Sequence, residues 1–242
     1  MTSNLAAFVD ARIRSEVAAG SVPQVVLDLD GTLFDNVPRS KAILLDAARH
    51  AFGVGPLEEL VRSIPEDAFE YNPIDTLRKH GVADEATLER LREEWAQRFF
   101  GSAYLDRDVP LAGSVEAARR WWEEGAELNY LTGRHVPEMF LGTCESLHEQ
   151  GFPIGTVRTQ LLMKPAFDAN DVEFKITTVP SIRRKGPIVL IVDNDPRVIN
   201  PLAVAVPGAT AVMVETLHPV DAPALTDRVL RAEDFRVFLD PR

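Results

Sequence analysis

Two acids stand where an apolar strand should end. Residues 25–35 read Val-Val-Leu-Asp-Leu-Asp-Gly-Thr-Leu-Phe-Asp. The apolar run predicts a buried strand that delivers Asp28 and Asp30 into a loop. Side chains two apart on an extended chain point to the same side, so both carboxyls can face one small space. At an effective dielectric of about 20, two unit charges about 4 Å apart repel by roughly 4 kcal/mol. Such a pair calls for a bound metal or a shifted pKa. Further along, Pro187–Val192 is a continuous apolar run of the kind buried on both faces of a sheet, and it too ends in acids, Asp193-Asn194-Asp195. A third apolar segment, Glu127–Leu131, ends in Thr132-Gly133-Arg134.

These endings suit one reaction, phosphoryl transfer through a covalent aspartyl-phosphate. Carboxylates repel a phosphate dianion. A divalent cation between Asp28, Asp193 and the phosphate removes that obstacle, and oxygen ligands suit Mg²⁺. A threonine hydroxyl and a lysine ammonium can hold the remaining phosphoryl oxygens. A second acid beside the first can protonate the leaving group and then activate water.

Large sequence separations divide these residues, so only the fold can unite them. Leu5, Phe8, Val9, Ile13 and Val17 have helical spacing and predict an N-terminal helix ending at Gly20. Strand one spans roughly 24–29. From Pro38 to Arg107 the chain reads as helix after helix: Pro38, the Asn72-Pro73 pair and Asp84 are start signals, and Gly53, Gly55 and Gly81 are breaks. In the last of these helices Leu88, Leu91, Trp95 and Phe99 form a stripe expected to face a core. Strand and helix alternate again from Pro110. A helix is capped by Ser114, and a strand at 127–131 precedes a helix at 137–150. A strand at 156–163 follows, then a partly helical 171–184 that Pro180 should start or kink. The strands at 187–192 and 209–214 come next, and the 222–238 tail is read as partly helical. This alternation predicts an α/β fold with a Rossmann-like parallel sheet. Residues 1–36 and 108–242 form its core, and residues 37–107 form an inserted helical cap. Ligands in such sheets bind outside the carboxyl ends of the strands, where the three polar endings lie.

Of the 242 residues 45% are hydrophobic and 26% charged, ordinary for a globular chain. The net charge of −11 argues against nucleic-acid or anionic-membrane partners, which need a basic face. The single cysteine, Cys144, forbids an intrachain disulfide and agrees with a cytoplasmic setting. Residues 1–10 carry no basic, apolar leader pattern, and no apolar run is long enough to span a membrane.

The motifs resemble those of the haloacid dehalogenase superfamily. Asp-Leu-Asp-Gly-Thr-Leu (28–33) is similar to its first motif, Leu-Thr-Gly-Arg (131–134) to its second, and Ile-Val-Asp-Asn-Asp-Pro (191–196) to its acidic fourth. The order and spacing agree over residues 24–34 and 110–215, and the insertion is placed like a C1 cap. The Thr-Gly-Arg pairing resembles the acid-phosphatase-like branch. The resemblance implies Asp28 as nucleophile and Asp30 as general acid/base. Asp28, Asp193 and the backbone carbonyl of Asp30 become Mg²⁺ ligands, and Thr132 binds the phosphoryl group. Gly133 and Arg134 stand beside that group as substrate-binding candidates. An acid at position 30 favours phosphate chemistry, since dehalogenase members lack one there. The third-motif lysine is Lys175 or, in another subfamily's style, Lys164; Lys175 is preferred. Asn194 or Asp195 completes the metal shell through water.

Each residue also has a plainer reading. Thr132 can cap the helix that follows, and Lys175 and Asp195 can be solvated. Arg134 and His135 can pair structurally, and Cys144 can be a packing residue. In the insertion Arg39, Tyr71, Arg78 and Lys79 can read a substrate or be solvated helix residues. The expected activity is a Mg²⁺-dependent phosphohydrolase acting on a small phosphorylated molecule. A phosphomutase and a non-catalytic phospho-ligand binding protein are the alternatives. The oligomeric state is left open.

Overall fold

The computed structural model describes residues 5–239; residues 1–4, part of the segment read above for a leader, and residues 240–242 lie outside them. Six parallel strands form the central sheet: β1 (Gln24–Leu27), β4 (Glu127–His135), β5 (Thr159–Lys164), β6 (Ile188–Asp193), β7 (Thr210–Val214) and β8 (Val229–Ala232). Their spatial order is β5-β4-β1-β6-β7-β8, with every pairing parallel. The α/β fold class expected from the sequence is the one observed.

Alternation along β1 builds both sides of the core. Val25 and Leu27 pack with Leu128, Tyr130, Trp121 and the helix α1 (Leu5–Ala18). Val26 faces the other way, toward Ile191, Val179 and Leu202. All six residues of β6 are buried, as a strand covered on both faces requires. Helix α6 (Ser114–Glu123) supplies Trp121 to the first side. Helices α8 (Asp171–Arg183) and α9 (Pro196–Ala205) close the second.

From β1 the chain winds outward through β4 to β5, then returns to β6 and winds the other way. The reversal lies beside β1, and ligands bind at such a switch point. Register places Leu27 opposite both Tyr130 and Val192, so β1 and β6 end side by side while β4 runs on past them to His135.

The helical stretch after β1 has a core of its own. Helices α2 (Val37–Phe52), α3 (Pro56–Ser63), α4 (Pro73–Lys79) and α5 (Glu85–Phe99) bury Leu44, Val61, Ile74, Leu77, Leu88 and Leu91 against one another. Prolines occupy the first turns of α2, α3 and α4, where a missing N–H costs no helical bond. Asn72 and Asp84 cap α4 and α5 by accepting from the N–H groups of Ile74 and Thr87. The stretch leaves the sheet through β2 (Phe34–Asp35) and returns through β3 (Val109–Pro110), which pair antiparallel.

Four readings change. The 222–238 tail holds an unexpected sixth strand, β8, and its helical part is only the short 3-10 helix Phe235–Phe238. Its pattern is weak because only Val229 and Ala232 of four strand residues are buried. Pro180 does not start α8, which runs through it; Thr177, Thr178 and Ser181 hydroxyls donate to carbonyls of the preceding turn. Ser114 is not a cap but the first helical residue after Gly113. The stripe on α5 divides: Leu88 and Leu91 are fully buried, while Trp95 and Phe99 are half-buried and line a cavity. Among the described residues no helix is long and apolar enough to cross a membrane.

Because the α2–α5 core is small, each of its leucines weighs heavily. Leu88→Ala should cost about 2–5 kcal/mol, read as a lower urea midpoint at unchanged slope.

Candidate active site

Asp28 follows β1 directly, and its backbone N–H donates to the Val192 carbonyl at 3.0 Å, fixing it beside β6. The residue is 6% exposed. Oδ2 accepts from Thr32 Oγ1 at 3.0 Å, and Oδ1 accepts from Lys175 Nζ at 2.8 Å. The same ammonium donates to Asp193 Oδ2 at 2.7 Å. Asp193 Oδ1 accepts the backbone N–H of Asp195 at 2.9 Å. Three segments therefore deliver two carboxylates and one ammonium to a single buried point. Burial pushes the Asp28 carboxyl up; Lys175 opposes this and Asp193 adds to it, leaving the carboxyl at about 7. Burial also raises Asp193 against the pull of Lys175. Lys175 is driven the other way: burial would lower it, but its two carboxylates hold it above the usual lysine range.

The turn after Asp28 depends on Gly31. Its φ of +73° is left-handed, and a Cβ there would lie 2.2 Å from Asn194 Nδ2. Asn194 is therefore packed on this turn, accepting from Thr32 Oγ1 at 3.3 Å and donating to the Leu217 carbonyl at 2.8 Å. Asp195 caps α9 through the Arg197 N–H at 2.8 Å and pairs with the Arg197 guanidinium at 2.6 Å.

Asp30 meets a different environment. Its Oδ1 accepts from Arg39 Nη2 at 2.6 Å and Arg134 Nη2 at 2.7 Å, and its Oδ2 from Arg134 Nε at 2.9 Å. Both arginines also pair with buried Asp108, Arg134 at 2.7 Å and Arg39 at 3.2 Å. The Phe99 ring covers the Arg39 guanidinium at 3.9 Å. Burial alone would raise the Asp30 carboxyl; the charges of Arg134 and Arg39 outweigh it and hold the group well below the usual carboxylate range. Arg39, read from sequence as a substrate reader or a solvated residue, is neither: it is fully buried. Arg134 takes the structural pairing. Asp108 went unnoticed in the sequence, being one acid among 37 with no motif around it.

Thr132 is fully buried, and its hydroxyl oxygen accepts the Arg134 N–H at 3.1 Å. Gly133 closes against Asp171, whose Oδ2 would lie 2.8 Å from a Cβ. Lys164 is turned away from Asp28: it donates to the Phe167 and Ala169 carbonyls at 3.0 and 2.9 Å and pairs with Asp171 at 2.6 Å. Of the two candidate lysines, Lys175 is the one that reaches Asp28. Arg78 and Lys79 pair with acids on the surface. Cys144 is half-buried in α7 (Val136–Glu149), where burial raises its thiol. His135 is buried edge-on to Phe167.

A cavity of 1140 Å³ lies over the strand ends, with Asp28, Asp30, Gly133, Arg134, Lys175 and Asp193 on one wall and Tyr71, Trp95, Phe99 and Phe100 on the other. Among the described residues no three His, Cys, Asp or Glu side chains form a metal cage. Mg²⁺ does not require one, since it keeps several waters and takes one or two carboxylates. Asp28 Oδ1 and Asp193 Oδ2 already converge on one cationic group, so these two carboxylates fit as its oxygen donors.

No protein-family model matches the chain, and no curated protein matches it in sequence. Solved structures do. A provisionally named phosphatase from Clostridium difficile has a TM-score of 0.55 at 14% identity, covering 88% of this chain and 94% of that one. A HAD-superfamily hydrolase from Ehrlichia chaffeensis has a TM-score of 0.51 at 13% identity, covering 89% and 93%. The fold is the haloacid dehalogenase fold. Protein Tyrosine Kinase A of Mycobacterium tuberculosis shares it, with a TM-score of 0.52 at 18% identity over 89% and 96%. The haloacid dehalogenase fold brings Asp28, Lys175 and Asp193 together here.

Two outcomes follow from the site's geometry. Gly31→Ala should lower the thermal midpoint and weaken any ligand binding at the site, because the turn and Asn194 must both shift. Asp30 has a lowered folded pKa, so its stabilising contribution is present above the unfolded value of about 4 and is lost as pH falls toward the folded value. Thermal melts should show the gap between wild type and Asp30→Asn widest above that pH and narrowing below it.

Proposed function

We propose that the chain is a Mg²⁺-dependent phosphohydrolase that cleaves a small phosphorylated molecule through a phosphorylated Asp28. The observation that carries this reading is the buried Asp28 carboxylate sharing the Lys175 ammonium with Asp193 at the switch point of the sheet. We read residues 37–107 as a cap over a core formed by 1–36 and 108–242, and the cavity between them as the substrate site. The acidic chain favours a free small molecule over nucleic acid or membrane, and a cytoplasmic setting suits such a substrate.

In this mechanism an Asp28 oxygen attacks phosphorus as the bond to the leaving oxygen breaks, and that bond's electron pair stays with the leaving group. Lys175 donates to a phosphoryl oxygen, and the Thr132 segment, with Gly133 and Arg134, closes the adjoining wall. Asp30 hands a proton to the leaving oxygen. In the second step it takes a proton from the water that attacks phosphorus; the bond from phosphorus to the Asp28 oxygen breaks, its electron pair restores the carboxylate, and inorganic phosphate leaves. The clasp of Arg39 and Arg134 holds Asp30 ionised, ready for that second step. For it to arrive protonated in the first, one arginine must release it. A Mg²⁺ held by Asp28, Asp193 and the Asp30 carbonyl would supply positive charge against the phosphoryl oxygens when bound.

Phosphate release from phenyl phosphate tests the reading. With Mg²⁺ the wild type should turn over, and chelation should stop it. Asp28→Asn should lose on the order of 10³-fold or more in kcat, as removal of a covalent nucleophile does. Lys175→Gln should lose on the order of 10²–10³-fold. Full activity in Asp28→Asn would exclude the covalent route.

A further inference from the structure

The far wall of the cavity has a chemistry of its own. Trp95 and Phe99 stack at 4.4 Å between ring centroids, and Phe100 stands edge-on to both at 6.1 and 5.2 Å. All three rings line the cavity and none is fully buried. Phe99 is committed to the Arg39 guanidinium and to Trp95, and Phe100 also packs edge-on against Phe167 at 5.0 Å, so what faces the cavity is the remaining half-buried ring surface of Trp95 and Phe100. Ring surface of this kind stacks with flat apolar groups and has little to offer the hydroxyls of a sugar.

Charge on the wall narrows the ligand further. Its cations are Arg134, Lys175 and Arg197, and each is already paired with a carboxylate: Asp30 and Asp108, Asp28 and Asp193, and Asp195. Lys175 serves the transferring phosphoryl group, and no unpaired cation on the wall is left to receive a second phosphate or a carboxylate. On the insertion side the wall carries Glu66 and Asp67, both exposed on the 3-10 turn Glu66–Ala68 and unpaired among the described residues. A second anion there would meet repulsion with no counterion, whereas an ammonium would meet two free carboxylates.

We propose that the site takes an aryl phosphate whose far end is uncharged or cationic, with the ring against Trp95 and Phe100 and the far end beside Glu66 and Asp67. This rests on the reading of Asp28 as the phosphoryl-accepting group, and it assigns the specificity of that group to the α5 aromatics and the 3-10 turn.

Calorimetry with non-hydrolysable phosphonates in the presence of Mg²⁺ tests it without relying on turnover. Benzylphosphonate should bind at least tenfold tighter than 3,4-dihydroxybutylphosphonate. 4-(Aminomethyl)benzylphosphonate should bind at least tenfold tighter than 4-carboxybenzylphosphonate. Trp95→Leu should shrink the first ratio. The double variant Glu66→Gln, Asp67→Asn, two exposed changes that leave the core untouched, should bring the second ratio toward one. Equal or tighter binding of the carboxylated or dihydroxybutyl ligand, ratios unmoved by the variants, or no binding by any of the four overturns the proposal. Phenyl phosphate hydrolysis measured in parallel separates the two readings. The expected binding order without hydrolysis sinks the phosphatase and keeps the aryl site; hydrolysis with the reverse order does the opposite.

Discussion

Buried negative charge is the constraint on which this structure turns. Asp28, Asp193 and Asp108 are all but sealed from solvent, and Asp30 stands among them. A buried carboxylate without a partner is expensive, and removing one partner of a buried pair typically costs about 3–5 kcal/mol. The chain answers with three cations drawn from three distant places: Lys175 from α8, Arg39 from α2 and Arg134 from the end of β4. The sheet order, the helix that follows β5 and the first turn of the insertion are all bound by the need to bring these cations to the end of β1.

The same constraint separates the two acids that open the motif. Asp28 and Asp30 are two residues apart, yet their environments drive them in opposite directions. Asp28 shares one ammonium with a second carboxylate and is pushed up; Asp30 has two guanidiniums and is pushed down. Divergent environments for neighbouring titratable groups are how one site holds two roles. Local sequence places the carboxyls side by side, but their counterions decide which charge each carries.

Much of this is legible in the amino-acid sequence. The apolar run at β1 marked a buried strand and the continuous one at β6 a strand buried on both faces, and each ended visibly in acids. Prolines and capping residues marked α2, α4 and α5 closely. The less legible features share a cause, since they depend on partners far away in the chain. Val-Leu-Arg-Ala at β8 gives no strand signal until β7 is beside it. Trp95 and Phe99 continue a stripe of helical period that cannot say where the core ends and a cavity begins. Lys175 and Lys164 look alike as residues, and only the direction of α8 sends one of them to Asp28. Arg39 reads as a surface arginine because its partners, Asp30 and Asp108, lie on opposite sides of the insertion.

The two-rung ribbon of β2 and β3 gives this arrangement a seam. Asp35 and Val109 are paired neighbours, so everything between them leaves the sheet and returns through one doorway. A tight turn across that doorway would close a shorter chain with all six parallel strands, Asp28, Lys175 and Asp193 intact. It would also strip Arg39 from Asp30 and Asp108 from Arg134, leaving one arginine and one acid where four groups balanced. A graft that exchanges the helices for others must therefore be cut inside the doorway, beyond Arg39 on one side and before Asp108 on the other. By connectivity both residues lie between the paired Asp35 and Val109, and by charge they belong to the sheet.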